Sequence, residues 1–229
     1  MRVKVCGLTR KNDVILCERL DVNAIGFILA ESPRRVSISD VAKLTENISP
    51  FLSRVAVVVN PERGLLDRIV KSRLFDYIQF HGNEDPELIS DFPLNTIKSI
   101  SIRLDKFQID SDKSKLAHYL EGIKENLNKY SSADYFLFDT KLDRTAGGTG
   151  KSFNWNIFEY LQIKKPFILA GGLGIENIEE ALKIENLSGV DLNSKLESTP
   201  GVKDREKLIQ IMEVIKKKNL KTGGIYNGS

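Results

Sequence analysis

Eight short apolar runs, each followed by an amphipathic or polar interval, do most to restrict what this chain can fold into. They cover residues 3–6, 24–29, 55–59, 77–80, 96–100, 135–138, 167–170 and 189–192. The runs are too short for helices. Several are continuous in β-branched or aromatic residues, as in the VAVVV of 55–59, which marks strands covered on both faces. The intervals predict helices over 9–20, 39–48, from about 61 and 86, over 113–130 and 154–161, beyond Gly174, and from about 204 to 218. Their starts carry polar caps such as Thr9, Ser39-Asp40 and Asp85-Pro86-Glu87. Strict alternation of strand and helix implies a parallel sheet. In 229 residues, eight such units fit a single closed (β/α)8 TIM barrel best. An open doubly wound sheet is the alternative, but the Gly-x-Gly-x-x-Gly turn it uses is missing after the first run. No linker or composition shift marks a second domain, so the expectation is one barrel over 1–221 and a disordered tail over 222–229.

Composition narrows the partners. The hydrophobic fraction of 41% supplies a sizeable core, and 34 basic against 31 acidic residues leave a net charge of +3. No basic block with interleaved aromatics is present, which argues against nucleic acid, while a small anionic substrate stays compatible. No apolar run is long enough to cross a bilayer, and MRVKVCGLTR at the start has no apolar signal segment. Cys6 and Cys17 are the two cysteines. They form no disulfide framework, and no Cys/His cluster suggests a metal. A cytoplasmic location follows.

A barrel of this kind does its chemistry where its strands end. Those ends hold Cys6, the loop with Arg34 and Arg35, Asn60, His81, Asp139, Gly171-Gly172, and the segment Asp191, Asn193, Ser194. The sixth run ends in Asp139 and leads into a glycine-rich loop, Gly147-Gly148-Thr149-Gly150. A carboxylate at a strand tip under such a loop suits a catalytic acid or base; the alternative is a cap on the next turn. Gly150-Lys151-Ser152 resembles the end of a P-loop, but the glycine that motif needs five residues before Gly150 is Thr145. Cys17, on a helix face, reads as a small buried hydrophobe. Cys6 shares that alternative, but its place at a strand tip before a glycine lets a thiol meet a ligand. His81, directly after a strand, reads more readily as a hydrogen-bonded structural histidine than as a catalyst. The paired glycines 171 and 172, ahead of a helix start, suit a phosphate held by backbone amides, with Asn193 and Ser194 as further donors.

Segments spread over nearly the whole chain, KVCGLTR, AIGFILAESPRRVS, VVVNP, IQFHGNE, FDT followed by GGTGKSFNW, LAGGLG, and VDLNS with PGVKD, resemble the phosphoribosylanthranilate isomerases of tryptophan biosynthesis. The resemblance implies a (β/α)8 barrel that performs an Amadori rearrangement on a phosphorylated sugar-anthranilate without metal or organic cofactor, as a monomer or homodimer. It implies Cys6 as general base, Asp139 as general acid, Arg35 against the anthranilate carboxylate, and Gly171, Gly172 and the strand-eight loop around the phosphate. One departure stands out. The family's Asp-Val-Ser-Ser-Gly reads Asp191-Leu192-Asn193-Ser194-Lys195 here. A histidine-pathway isomerase runs the same chemistry but resembles a barrel with Asp at the first strand tip. A phosphate-binding pseudoenzyme would lack Cys6 or Asp139.

Overall fold

A computed structural model describes residues 1–103, 113–141, 155 and 157–222. The eight expected strands are β1 Arg2–Cys6, β2 Ala24–Ile28, β3 Ser53–Val58, β4 Tyr77–Phe80, β5 Asn95–Arg103, β6 Tyr135–Lys141, β7 Phe167–Ala170 and β8 Leu187–Leu192. They pair in sequential order and close, β8 returning to β1, into one parallel barrel. The helices between them are α1 Lys11–Arg19, α2 Ile38–Leu44, α3 Arg63–Ser72, α4 Pro86–Ser90, α5 Lys113–Lys129, α6 Ile157–Leu161 and α7 Ile178–Ala181. After β8 a 3-10 turn, Ser194–Leu196, leads into a small antiparallel pair, β9 Glu197–Thr199 with β10 Val202–Lys203, and then α8 Arg205–Thr222. That pair was not expected: a three-residue and a two-residue strand leave no periodicity to read. The glycine-rich loop at 147–150, and the tail beyond Thr222, lie outside the described residues.

Side chains alternate along each strand, so one parity of every run faces the barrel interior and the other faces the helices. Val3, Val5, Ile78, Phe80, Phe136, Phe138, Val190 and Leu192 belong to the large layer between strands and helices. Cys6, Val55, Val57, Ile97, Leu137 and Ala170 form a separate inner cluster. On the outer side Phe138, Phe158 and Phe167 meet with ring centroids 5.2–5.4 Å apart, which seats α6 on β6 and β7 through large aromatic areas. Cys6 and Asp139 share parity with the inner cluster, and their strands are not neighbours in the ring. They therefore enter one interior from different sides.

The outer layer also contains a buried ion pair. Lys98 donates 2.9 Å to Glu84, with the two side chains 2% and 1% exposed. The ammonium also reaches the carbonyls of Phe80 and Gly82, and Glu84 Oε1 accepts from the amides of Asn60 and Gly82. With every partner satisfied, this network pins the β4–α4 connection that carries His81. Burial alone would raise Glu84, but Lys98 and the backbone donors hold it below the ordinary 4.5. A depressed carboxyl stabilises the fold above its unfolded pKa, and that contribution is lost as pH falls through the folded value. Glu84→Gln should therefore cost about 3–5 kcal/mol at neutral pH, because it strands a buried ammonium. It should also flatten the loss of stability below about pH 4.5. Urea unfolding of both proteins at pH 7 and pH 4 checks this; equal losses on acidification would rule Glu84 out as a source of acid lability.

Candidate active site

At the C-terminal mouth, the inner face of β1 carries Lys4 and Cys6, two residues apart and so on the same side. Register places Lys4 beside Asp191 of β8 and Cys6 beside Gly26 of β2. Lys4 Nζ donates 2.7 Å to Asp191 Oδ2, and both side chains are buried. A Cβ on Gly26 would stand 2.7 Å from Cys6 Sγ and 3.2 Å from Lys4 Cε. Glycine there makes room for thiol and lysine to lie together. Burial pushes the Cys6 thiol up, while the charges of Lys4 and Lys203 pull it down and Asp191 opposes them; the outcome lies above the ordinary value. Positive charge does stand beside Cys6, but burial outweighs it. Cys17 is also buried, and its thiol is pushed up to about 12 by burial, in keeping with a purely structural role.

Across the interior, Asp139, two residues before the end of β6, has its side chain 18% exposed, and His81 Nε2 lies 3.3 Å from its Oδ2. His81 Nδ1 is 3.0 Å from the Gln79 amide nitrogen and 2.8 Å from Ser99 Oγ. Gln79 and Ser99 thus fix the Nδ1 side of the ring, and Nε2 is the nitrogen that faces Asp139. His81 is held from behind by β4 and β5.

The two arginines of the loop after β2 separate sharply. Arg34 is turned inward, with Nε and Nη2 both on the Glu197 carboxylate at 2.6–3.0 Å. Its Cδ would stand 2.7 Å from a Cβ on Gly7, directly after Cys6. Arg35 is exposed, its backbone paired with Ile28. Of the two it is Arg34, not the expected Arg35, that is turned inward. In an irregular loop, adjacent residues follow no fixed parity, and the Glu197 partner that turns Arg34 inward lies 163 residues away.

Gly171 and Gly172, at the end of β7, have φ of +93° and +62°. A Cβ on Gly171 would collide with the Thr140 carbonyl, so a side chain there is excluded by both space and conformation. The helix expected to start close behind them is the four-residue α7, with Asn177 tying Gly172 O to Gly174 N. Anion binding here would fall on loop amides rather than on a long helix dipole. In the strand-eight loop, Asn193 Oδ1 accepts 2.9 Å from Lys203. Ser194 is exposed. Lys195 bridges to Glu176 of the preceding loop at 2.7 Å, an exposed pair of small energetic weight.

Sequence reading overlooked Lys4, Gln79, Ser99, Glu197 and Lys203. Lys4 did leave a signal, a charge at the inward position of an otherwise apolar strand. Glu197 and Lys203 left none, because they pair with each other across a β9–β10 turn that has no sequence periodicity, and Arg34, the other partner of Glu197, is 163 residues away.

Residues 3–214 match the family model described as N-(5'phosphoribosyl)anthranilate (PRA) isomerase. An N-(5'-phosphoribosyl)anthranilate isomerase of Petrotoga mobilis is 49% identical over 205 residues, 89% of this chain and 91% of that protein. One from Legionella pneumophila is 36% identical over 216 residues, 94% of this chain and 97% of that one. Among solved structures, the phosphoribosyl anthranilate isomerase of Thermotoga maritima superposes with a TM-score of 0.78 at 27% identity, covering 95% of this chain and 99% of its own. A second, of a phosphoribosyl anthranilate isomerase in complex with reduced 1-(o-carboxyphenylamino)-1-deoxyribulose 5-phosphate, gives 0.76 at 25% identity, with the same coverage of 95% and 99%. With all eight strands inside the matched region, this chain belongs to the N-(5'-phosphoribosyl)anthranilate isomerase family.

Proposed function

We propose that this chain isomerises N-(5′-phosphoribosyl)anthranilate to 1-(2-carboxyphenylamino)-1-deoxyribulose 5-phosphate, a step of tryptophan biosynthesis, with Asp139 as general acid and Cys6 as general base. The observation that carries the assignment is the pair itself. An acid and a base stand on strands that are not neighbours, both on the inner face of one barrel mouth. The reaction needs that arrangement. Asp139 protonates the ring oxygen as the anthranilate nitrogen forms an iminium at C1′, and the ring opens. Cys6, as thiolate, then takes the proton from C2′ and leaves an enolamine. Tautomerisation moves the enol proton onto C1′ and gives the ketone. Exchange with solvent returns the proton held by Cys6 and replaces the one given by Asp139.

Arg34 meets the anthranilate carboxylate in this reading. Glu197 takes the Nε–Nη2 edge of its guanidinium, which leaves Nη1 and the far side of Nη2 for a ligand, a geometry suited to a planar anion. The amides around Gly171 and Gly172, with the Ser194 turn, hold the phosphate. Asp191 offers its second oxygen, which has no hydrogen-bond partner among the described residues, to a sugar hydroxyl.

Freshly generated phosphoribosylanthranilate, followed by loss of its fluorescence with and without the protein, tests the activity; no acceleration sinks it. The arginine assignment predicts that Arg34→Met raises KM by about 10- to 100-fold, the worth of a charge-assisted hydrogen bond. Arg35→Met should stay near the parent. A reversal of that order would return the role to Arg35.

A further inference from the structure

We propose that Lys4 is a positioning residue for proton abstraction: its buried ammonium, anchored on Asp191, is the counter-charge that the Cys6 thiolate faces. This rests on the reading of Cys6 as general base and extends it to what makes a buried thiol usable as one.

A lysine inside an apolar strand is costly to keep, since desolvating an ammonium takes several kcal/mol even after relaxation. Three buried lysine–carboxylate pairs stand among the described residues, and Lys4–Asp191 is built differently from Lys98–Glu84 and from Lys203–Glu197, whose ammonium also reaches the carbonyl and Oδ1 of Asn193. Lys98 is saturated, with two carbonyls and Glu84 around its ammonium and two backbone amides on the free oxygen of Glu84. The Lys4–Asp191 pair is left open. Asp191 Oδ1 is buried without a hydrogen-bond partner among the described residues, and Lys4 has one carboxylate oxygen and the Cys6 thiol as its neighbours. An ammonium has three donors. An arrangement meant only to hold β1 to β8 would have its partners filled.

Placement supports the same conclusion. Lys4 and Cys6 project from alternate positions of β1 into the hollow above Gly26, where Sγ and the lysine stem both stand within 3.2 Å of a single would-be Cβ position. Other charges reach Cys6 from every side but are engaged elsewhere. Arg34, from the loop after β2, and Lys203, from β10, are both tied to Glu197 of β9. Asp139 of β6 is paired with His81, beyond the end of β4. Asp191 of β8 repels a thiolate. Lys4 is the cation that most favours the ionised thiol, against the burial that opposes it. Burial by itself would lower the lysine, but Asp191 and Cys6 hold it above its ordinary value. Lys4 therefore stays protonated throughout. The C2′ proton goes to Sγ, and the ammonium neither gives nor takes one.

The test is the ionisation of Cys6, read as thiolate ultraviolet absorbance against pH, each protein measured against its own Cys6→Ser partner. Lys4→Met should move the Cys6 midpoint to higher pH by about one to three units, the usual effect of removing an adjacent opposite charge. The alkaline rise of kcat/KM should move with it. Because Lys4→Met strands a buried carboxylate, Lys4→Met with Asp191→Asn is the second variant. It keeps the volume without the unpaired charge, and its midpoint should also stay above the parent's. Lys4→Arg, which retains the charge, should recover part of the shift. A folded double variant that ionises like the parent would overturn the proposal and leave Lys4 as a structural partner of Asp191. Failure of the general-base assignment would look different: Cys6→Ser would turn over normally while the midpoint still moved with Lys4.

Discussion

Cys6→Ser should lose about 10²- to 10⁴-fold in kcat, the usual worth of a positioned general base, with melting close to the parent. Serine keeps the shape and a hydrogen-bonding atom, but its hydroxyl is a far weaker acid than a thiol, so no anion forms to take the C2′ proton. The pocket cannot compensate. Burial holds even the thiol above its ordinary value, and the same surroundings act on the serine. The sign of the pH dependence follows. The active form is the deprotonated one and the free thiol is raised, so kcat/KM of the parent should climb with pH through neutrality toward the Cys6 midpoint. Steady-state rates on phosphoribosylanthranilate across that range, for both proteins, decide it. Near-normal turnover in Cys6→Ser would make the cysteine structural and send the search for a base to His81, the nearest other candidate at the mouth.

Asp139→Asn should cost as much, at a different step. The amide keeps the size and an acceptor, and His81 can still face it, but it has no labile proton for the ring oxygen. Ring opening fails while the site that abstracts the C2′ proton stays intact. A substrate already opened to the imine level should recover much of the lost rate in Asp139→Asn and none of it in Cys6→Ser. The two lesions lie on one path, so the double variant should fall far short of the sum of their separate effects. Equal impairment of Asp139→Asn on cyclic and opened substrate would mean that Asp139 acts after ring opening, and the acid would have to be sought elsewhere.

The alternation of buried runs and amphipathic intervals was enough to read the barrel and its strand order, because sequential parallel strands with short crossovers have few other ways to close. Strand parity alone also brings Cys6 and Asp139 to one interior, as each shares the inner face with residues such as Leu137 and Val57. The paired glycines were read as room for a phosphate on backbone amides; what the structure shows at Gly171 is a positive φ and the Thr140 carbonyl where a Cβ would stand.

The shell around the pair was decided by the tertiary structure. Choosing Arg34 over Arg35 needed Glu197, and Glu197 needed the two-stranded turn after β8 to bring it back over the mouth. The hydrogen bond that Asn193 accepts from Lys203 needed the same turn. Lys4 could be seen as an odd charge in an apolar strand, but its partner Asp191 is 187 residues away and becomes its neighbour only when β8 closes on β1. Periodicity is a local property of a strand, and it settles which side a residue faces. Charge pairing is set by distance in space, and closing the barrel brings the first and last strands, from opposite ends of the chain, side by side.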